Sequence, residues 1–312
     1  MHGPFMQSGV FTDTDRWSAE VRDWNLHFSQ IEAGPLEAAL ARVMLPATIL
    51  QKVKLNRRFH QEGHAPDGVF TFGIPDDHRR MSWYGDEAHE NSVMNFNSPD
   101  GFDAVSVAGF SATTLSMPSS VFLAEAAALG HEMREEDLAH NAQQHLADPL
   151  ELQRLKSISE GILACLSRNP PIVSGLRELE ADLRYLLVSI VTDQDRTLQT
   201  ETRAQRQKAV DRAVEIIASN ESLTIAEVCR YAAISQRSLD RAFKERFGIS
   251  PKRYMIARRL GAARRSIQNA PPDARIADIA CDHGFWHLGR FASDYKLMFG
   301  ELPSETLQAA NG

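Results

Sequence analysis

The sequence predicts an α+β protein of two unlike halves: a β-rich N-terminal region framed by helices, then an all-α region assembled from one helical unit used twice. Three observations carry this. A C-terminal segment repeats its own apolar skeleton. Short apolar runs divided by turns fill the first half of the chain. The charge is split unevenly: from Arg203 onward 18 Lys and Arg face 12 Asp and Glu, a balance of +6, leaving 16 against 29, or −13, for residues 1–202.

With 312 residues, 43% hydrophobic and 24% charged, the chain can hold two domains with cores of their own. Its formal net charge of −7 does not by itself point to nucleic acid; the basic back half behind an acidic front half does, because only one half then meets phosphate. The first residues, MHGPFMQSGVFTDTD, lack the basic start and apolar core of a signal peptide, and no run reaches the apolar length of a membrane span. Cys165, Cys229 and Cys281 are too scattered for a disulfide framework or a zinc cluster. The expected location is the cytoplasm, on the nucleoid.

Residues 1–147 read as the β-rich domain, led by a helix around Leu36–Met44 and trailed by helical segments from Val121 to Leu146. Thr48–Leu55, Val69–Ile74 and Ala104–Phe110 are its short apolar runs. Pro66-Asp67-Gly68 and Pro99-Asp100-Gly101 mark turns, since proline presets the first turn position and glycine allows positive φ. Residues 148–193 are helical in pattern, with Leu152, Leu155, Ile158, Ile162 and Leu166 on one stripe. Leu176, Leu179, Leu183, Leu186 and Ile190 then step by three and four, which serves a homodimer seam and an intramolecular helix pair equally. Residues 194–207, polar and threonine-rich, read as an exposed linker.

Residues 208–310 hold the repeat. Ile225, Ala226, Val228, Ala233 and Ile234 fall on Ile276, Ala277, Ile279, Gly284 and Phe285, and after the turn Leu239, Phe243, Phe247, Gly248 and Pro251 fall on Phe291, Tyr295, Phe299, Gly300 and Pro303. Each copy is a short amphipathic helix, a break at a small residue and a second helix ending at glycine, which is the helix-turn-helix layout. Thr224 with Glu227 makes a capping box, and Ser235 caps the second helix. Pro251–Gln268 bridges the copies as one helix of roughly 27 Å, which sets the second helices about one duplex repeat of ~34 Å apart.

Opposite its apolar stripe, the second helix of the first copy carries Gln236, Arg237 and Arg241, residue types that read adenine and guanine bidentately. Lys244, Lys252 and Arg253 fall nearer the phosphates. The second copy offers Trp286, His287, Gly289 and Arg290, with Ser293 where the first has Arg241. It has fewer hydrogen-bonding side chains, so His287 and Arg290 are its base-contact candidates within a mostly phosphate- and shape-reading surface.

Two helix-turn-helix units bridged by a helix, with Ala263-Arg264-Arg265 after the first and Gly284-Phe285 opening the turn of the second, resemble the AraC/XylS transcription regulators. The run Gly284-Phe285-Trp286-His287-Leu288-Gly289-Arg290-Phe291-Ala292, with Asp294-Tyr295 and Pro303-Ser304, resembles in particular the ethanolamine-utilisation operon regulators. Gln30-Ile31, Gly34 and Phe72-Gly73-Ile74-Pro75 resemble landmarks of that subgroup's front half. The resemblance implies a cupin-like N-terminal domain that binds a small-molecule effector, ethanolamine with adenosylcobalamin in that subgroup. It also implies double-stranded DNA and RNA polymerase as partners, as for an activator, while the sign of regulation stays open between activator and repressor. The residues lining the effector site are not identified by it.

The competing reading is a metal-dependent cupin-type enzyme fused to a DNA-binding module. His60, His64, His89 and Glu90 are its first candidate ligands. The His-x-His of a metal-binding cupin is absent, as are a Gly-x-Ser-x-Gly elbow, a phosphate loop and a dinucleotide fingerprint, so no catalytic residue, metal or cofactor is expected.

Overall fold

A computed structural model describes residues 5–20, 24–77, 81–141, 144–168, 171, 173–193, 197–198, 204–219 and 223–311. Its N-terminal half holds two antiparallel sheets. One runs β1 (Phe5–Phe11), β3 (Ala38–Met44), β4 (Ile49–Leu55), β11 (Phe110–Pro118), β6 (Val69–Pro75), β9 (Ser92–Asn95), β12 (Gln144–Leu146), β13 (Thr197–Leu198). The other runs β2 (Asn25–Gln30), β5 (Phe59–His64), β10 (Phe102–Val105), β7 (Ser82–Trp83), β8 (Asp86–Glu87). The sheets face each other across an aromatic core that includes Phe28, Phe59, Trp83, Phe102 and Phe110, and helix α1 (Thr14–Glu20) adds Trp17 to it.

Side-chain alternation fixes the layers. Phe70, Phe72 and Ile74 of β6 and Leu115 and Met117 of β11 point away from the aromatic core, onto helices α2 (Ser119–Ala128), α4 (Pro149–Leu166) and α5 (Leu176–Thr192). The larger sheet is thus covered on both faces. Gly68 and Gly101 take φ of 71° and 79°, as the two Pro-Asp-Gly turns require.

Four expectations are corrected here. Leu36–Met44 is not a helix: its Ala- and Leu-rich composition favours one, but Ala38 and Leu40 face the aromatic core while Val43 faces the helices, and two-sided burial makes Ala38–Met44 a strand between β1 and β4. The helical tail after Val121 consists of α2 and α3 (Glu135–Asn141), and Gln144–Leu146 pairs with β9 as a strand instead. Ala104–Phe110 spans the turn between β10 and β11 rather than forming one strand. In the expected linker, Thr197–Leu198 pairs with β12 and α6 (Ala204–Ser219) already begins at Ala204; positions 194–196 and 199–203 lie outside the described residues.

The leucine stripe of α5 is buried within the chain, packed with α4, α2 and the larger sheet, which selects the intramolecular alternative for that face. Beyond α6 the repeat follows as read: α7 (Ile225–Ala232) and α8 (Gln236–Phe247), the bridging α9 (Pro251–Gln268), then α10 (Ile276–Asp282), α11 (Leu288–Phe299) and α12 (Pro303–Asn311). The architecture is α+β, a sheet-rich half followed by a helical one. No helix among the described residues is long and apolar enough to cross a membrane.

Candidate nucleic-acid interface

Local chemistry builds each helix-turn-helix. The Thr224 side chain accepts from the Glu227 backbone N–H while the Glu227 carboxylate accepts from the Thr224 N–H, closing the capping box. The turn is made at Ala233, with φ of 54°, and at the matched position of the second copy stands Gly284, with φ of 78°. A left-handed residue costs alanine energy and glycine almost none, so the shared geometry is the more readily formed in the second copy. Ser235 caps α8, Ser250 caps α9, and Gly248 and Gly300 end α8 and α11 in the left-handed conformation.

Two separate cores result. Leu239, Phe243, Phe247, Tyr254 and Met255 close the first unit, and Leu260, Ile267, Phe291 and Tyr295 close the second. The stripe that buries Leu239, Phe243 and Phe247 leaves Gln236, Arg237, Arg241 and Lys244 exposed along α8. Lys252, Arg253, His287 and Arg290 are exposed as well. Arg241 Nε donates to Glu245 Oε1 at 2.8 Å, and Arg290 Nε lies 3.6 Å from Asp294. Exposed pairs of this kind are worth little, so both guanidiniums can leave them for DNA. Trp286, 76% exposed just before α11, adds an aromatic face to the second unit.

The sequence reading missed how the C-terminal half is moored. Alternation on the smaller sheet turns Phe28, Phe59, Phe102 and Ala104 inward to the aromatic core and His27, His60, Glu62 and Asp103 outward, onto the C-terminal helices. A chain of polar contacts runs there. Arg258 Nη1 donates to the Tyr254 hydroxyl at 3.4 Å, the hydroxyl meets His60 Nδ1 at 2.6 Å, and His60 Nε2 donates to Asp103 at 2.7 Å. Arg246, buried on the inner face of α8, reaches Asp103 at 2.7 Å and Asp211 at 2.5 Å. Burial opposes the charge of Asp103, yet His60 and Arg246 hold its carboxyl well below the usual carboxylate range. One legible signal pointed here: Arg246 stands on the apolar stripe of α8, seven residues after Leu239.

A ridge of the N-terminal half also reaches the C-terminal ends of both second helices. Arg58 Nη1 donates to the Phe247 carbonyl at 2.9 Å. Gly34 N–H and Gln30 Nε2 donate to the Met298 carbonyl at 2.9 and 3.2 Å. Gly34 holds φ of 124°, and a Cβ there would lie 2.6 Å from the Arg57 guanidinium. At the far end Arg264 and Gln268 bind Asp13. Acidic front-half residues thus serve to dock the basic half, a use of the charge division that the sequence reading assigned to phosphate alone.

The enzyme reading finds little geometry. His64, His89 and Glu90 are exposed and do not gather with His60. Among the described residues His60, Glu62 and Asp103 lie within 4.8 Å, a spacing able to hold a metal ion. Arg246 and Arg258 already pair those two carboxylates, at 2.7 and 3.3 Å, and both ring nitrogens of His60 are engaged.

Residues 228–309 match the profile of a helix-turn-helix domain family. The chain is 39% identical over 101 residues to the XylDLEGF operon transcriptional activator of Pseudomonas putida, covering 31% of this chain and 32% of that one. It is 38% identical over 91 residues to a probable thc operon regulatory protein of Rhodococcus erythropolis, covering 29% and 27%. The aligned region thus spans about a third of the length of each of these two relatives. The crystal structure of the AraC-like transcriptional activator CuxR aligns over 83% of this chain and 94% of its own, with 14% identity and a TM-score of 0.46. These relatives are transcription regulators.

Proposed function

We propose that the chain, whose C-terminal part is a helix-turn-helix DNA-binding domain of the AraC/XylS kind, is a sequence-specific transcription regulator that senses a small molecule through its N-terminal half. Gln236, Arg237 and Arg241 read bases in one major groove, and His287 and Arg290 approach the next. Lys244, Lys252 and Arg253 bind phosphate. Activation, and with it contact to RNA polymerase, comes to this reading from the P. putida activator that shares 101 aligned residues.

The observation that carries the sensing part is the two-faced sheet. Phe59 and Gln61 of β5 face the aromatic side while His60 and Glu62 between and beyond them hold Tyr254 and Arg258. A guest that shifts β5 or β10 on one face therefore shifts the contacts that dock the reading helices on the other, which is the differential contact that coupling between two sites needs.

Selection of duplexes from a random pool by the full chain tests the reading. It should converge on two half-sites about one helical turn apart, with affinity falling steeply as salt rises. A folded chain that selects no sequence would overturn it.

A further inference from the structure

Between the two sheets lies a cavity of about 70 Å3. Trp17, Trp24, Trp83, Phe28, Phe96 and Phe102 supply its aromatic walls, and none of its lining residues carries a charge. Resting on the sensing role proposed above, we infer that this cavity takes a neutral, single-ring aromatic guest bearing one hydrogen-bond acceptor.

Charge is excluded first. Moving an unpaired ion out of water costs several kcal/mol, and this wall offers neither a carboxylate for an ammonium nor a guanidinium for a carboxylate. The acidic balance of the front half does not reach it. Size comes next: an engineered apolar void of about 150 Å3 holds benzene, so a cavity of about 70 Å3 admits one ring only as the half-buried Trp24 and Phe96 give way. Adenosylcobalamin does not fit it, and ethanolamine finds no counter-charge.

Two unpaired polar groups set the acceptor. Trp17 is 1% exposed, yet its Nε1 has no acceptor among the described residues, and the hydroxyl of Thr114, also on the wall, has no partner either. Buried donors are paired in nearly all folded proteins, so an orphaned indole N–H on a residue of the aromatic wall marks where a guest's carbonyl or ether oxygen would sit.

The test uses full-length chain carrying Trp286→Phe, so that the cavity tryptophans dominate the fluorescence, with acetophenone, benzoate, benzylamine, ethanolamine and toluene as probes. Acetophenone should quench and raise the melting temperature, whereas the three charged probes should do neither. Trp17→Phe, which keeps a ring but removes the N–H, should weaken acetophenone about five-fold and leave toluene unchanged, a change equal to one hydrogen bond of ~1 kcal/mol. Ala112→Leu should abolish both by filling the cavity. Tighter binding of a charged probe, or no binding of either neutral probe by a folded chain, overturns the ligand class. Duplex affinity is read separately: neutral guests that bind without altering it would leave the ligand class standing and overturn the sensing role.

Discussion

The first helix-turn-helix unit opens α7 with a capping box at Thr224 and Glu227, whereas the second opens α10 at Arg275 with no side-chain cap. The first turns at an alanine held at positive φ and the second at a glycine. The first is moored by the buried guanidinium of Arg246 on Asp103 and by Arg58 on the Phe247 carbonyl; the second is moored by backbone and amide donors to Met298 and by the half-buried Arg264 and Gln268 on Asp13. Their apolar skeletons nonetheless match position for position. Packing therefore preserves the shape of the unit while polar residues are free to differ, and the two copies have diverged in the side chains they expose and in the groups through which the N-terminal half holds them.

The largest expected effect probes the mooring. Arg246→Ala leaves the buried Asp103 with His60 as its one remaining partner named above and should cost about 3–5 kcal/mol in denaturant unfolding of the full chain. Asp13→Ala, at the second unit, should cost about 1–3 kcal/mol. Equal losses would mean that the two units are held alike.

A pH scan separates the buried histidines from the buried carboxylates. Burial lowers the pKa of His145 to about 4, and neither ring nitrogen has a partner among the described residues. Below the ordinary 6.5 the unfolded chain takes up a proton that the folded chain refuses, so stability should fall between about pH 6.5 and pH 4, by up to about 3 kcal/mol. Asp103 and Asp13 behave differently. Burial opposes their charge but is outweighed, by His60 and Arg246 at Asp103 and by the Arg16 N–H and Arg264 at Asp13. With folded values below 3.8 their contributions are complete above that pH and are lost only as it falls further. His27, which burial and then Arg258 also lower to about 4, contributes in the same window, so His145→Gln should reduce the fall there by its own share and leave the acid limb unchanged in a melting series.

DNA reading comes third in size. Arg241→Ala should cost about 1–3 kcal/mol on the selected site and relax the base preference of that groove. Lys252→Ala should weaken all duplexes alike, by less. Base-by-base substitution of the site should show strict requirements in only one of the two grooves; equal stringency in both would erase the distinction between the copies.

Caps give the smallest effect. Thr224→Ala should lose about 1 kcal/mol, and Arg275→Asp, which introduces a cap into the second unit, should recover a similar amount. No gain from Arg275→Asp would mean that another group already satisfies the first turn of α10.

Most of the C-terminal half was legible because its signals are local. Caps, left-handed glycines and the stripe from Leu239 to Phe247 are written within a few residues of where they act, and all eight proposed DNA-contact residues are exposed as that periodicity requires. The N-terminal half was less legible because its strands are decided by distant partners. Ala38–Met44 has helical composition and becomes a strand only through β1 and β4, and the cavity gathers Trp17, Gln51, Trp83 and Thr114 from elements far apart in sequence. The landmarks around Gln30 and Gly34 illustrate the same limit. Their spacing in the chain gave no hint that they meet Met298, more than 260 residues on.

Helix α9 gears the two copies together. It lends Tyr254 and Met255 to one core and Leu260 and Ile267 to the other, so neither unit can rotate without turning the shaft they share. One residue inserted into it would swing the second unit by about 100° and advance it by about 1.5 Å, turning α11 away from its present orientation relative to α8. Seven would restore the angle to within about 20° and lengthen the shaft by about 10.5 Å, close to three base-pair steps of ~3.4 Å. The length of α9 is thus constrained in whole double turns, and the spacing of DNA half-sites that such a protein can serve would change in jumps rather than by degrees.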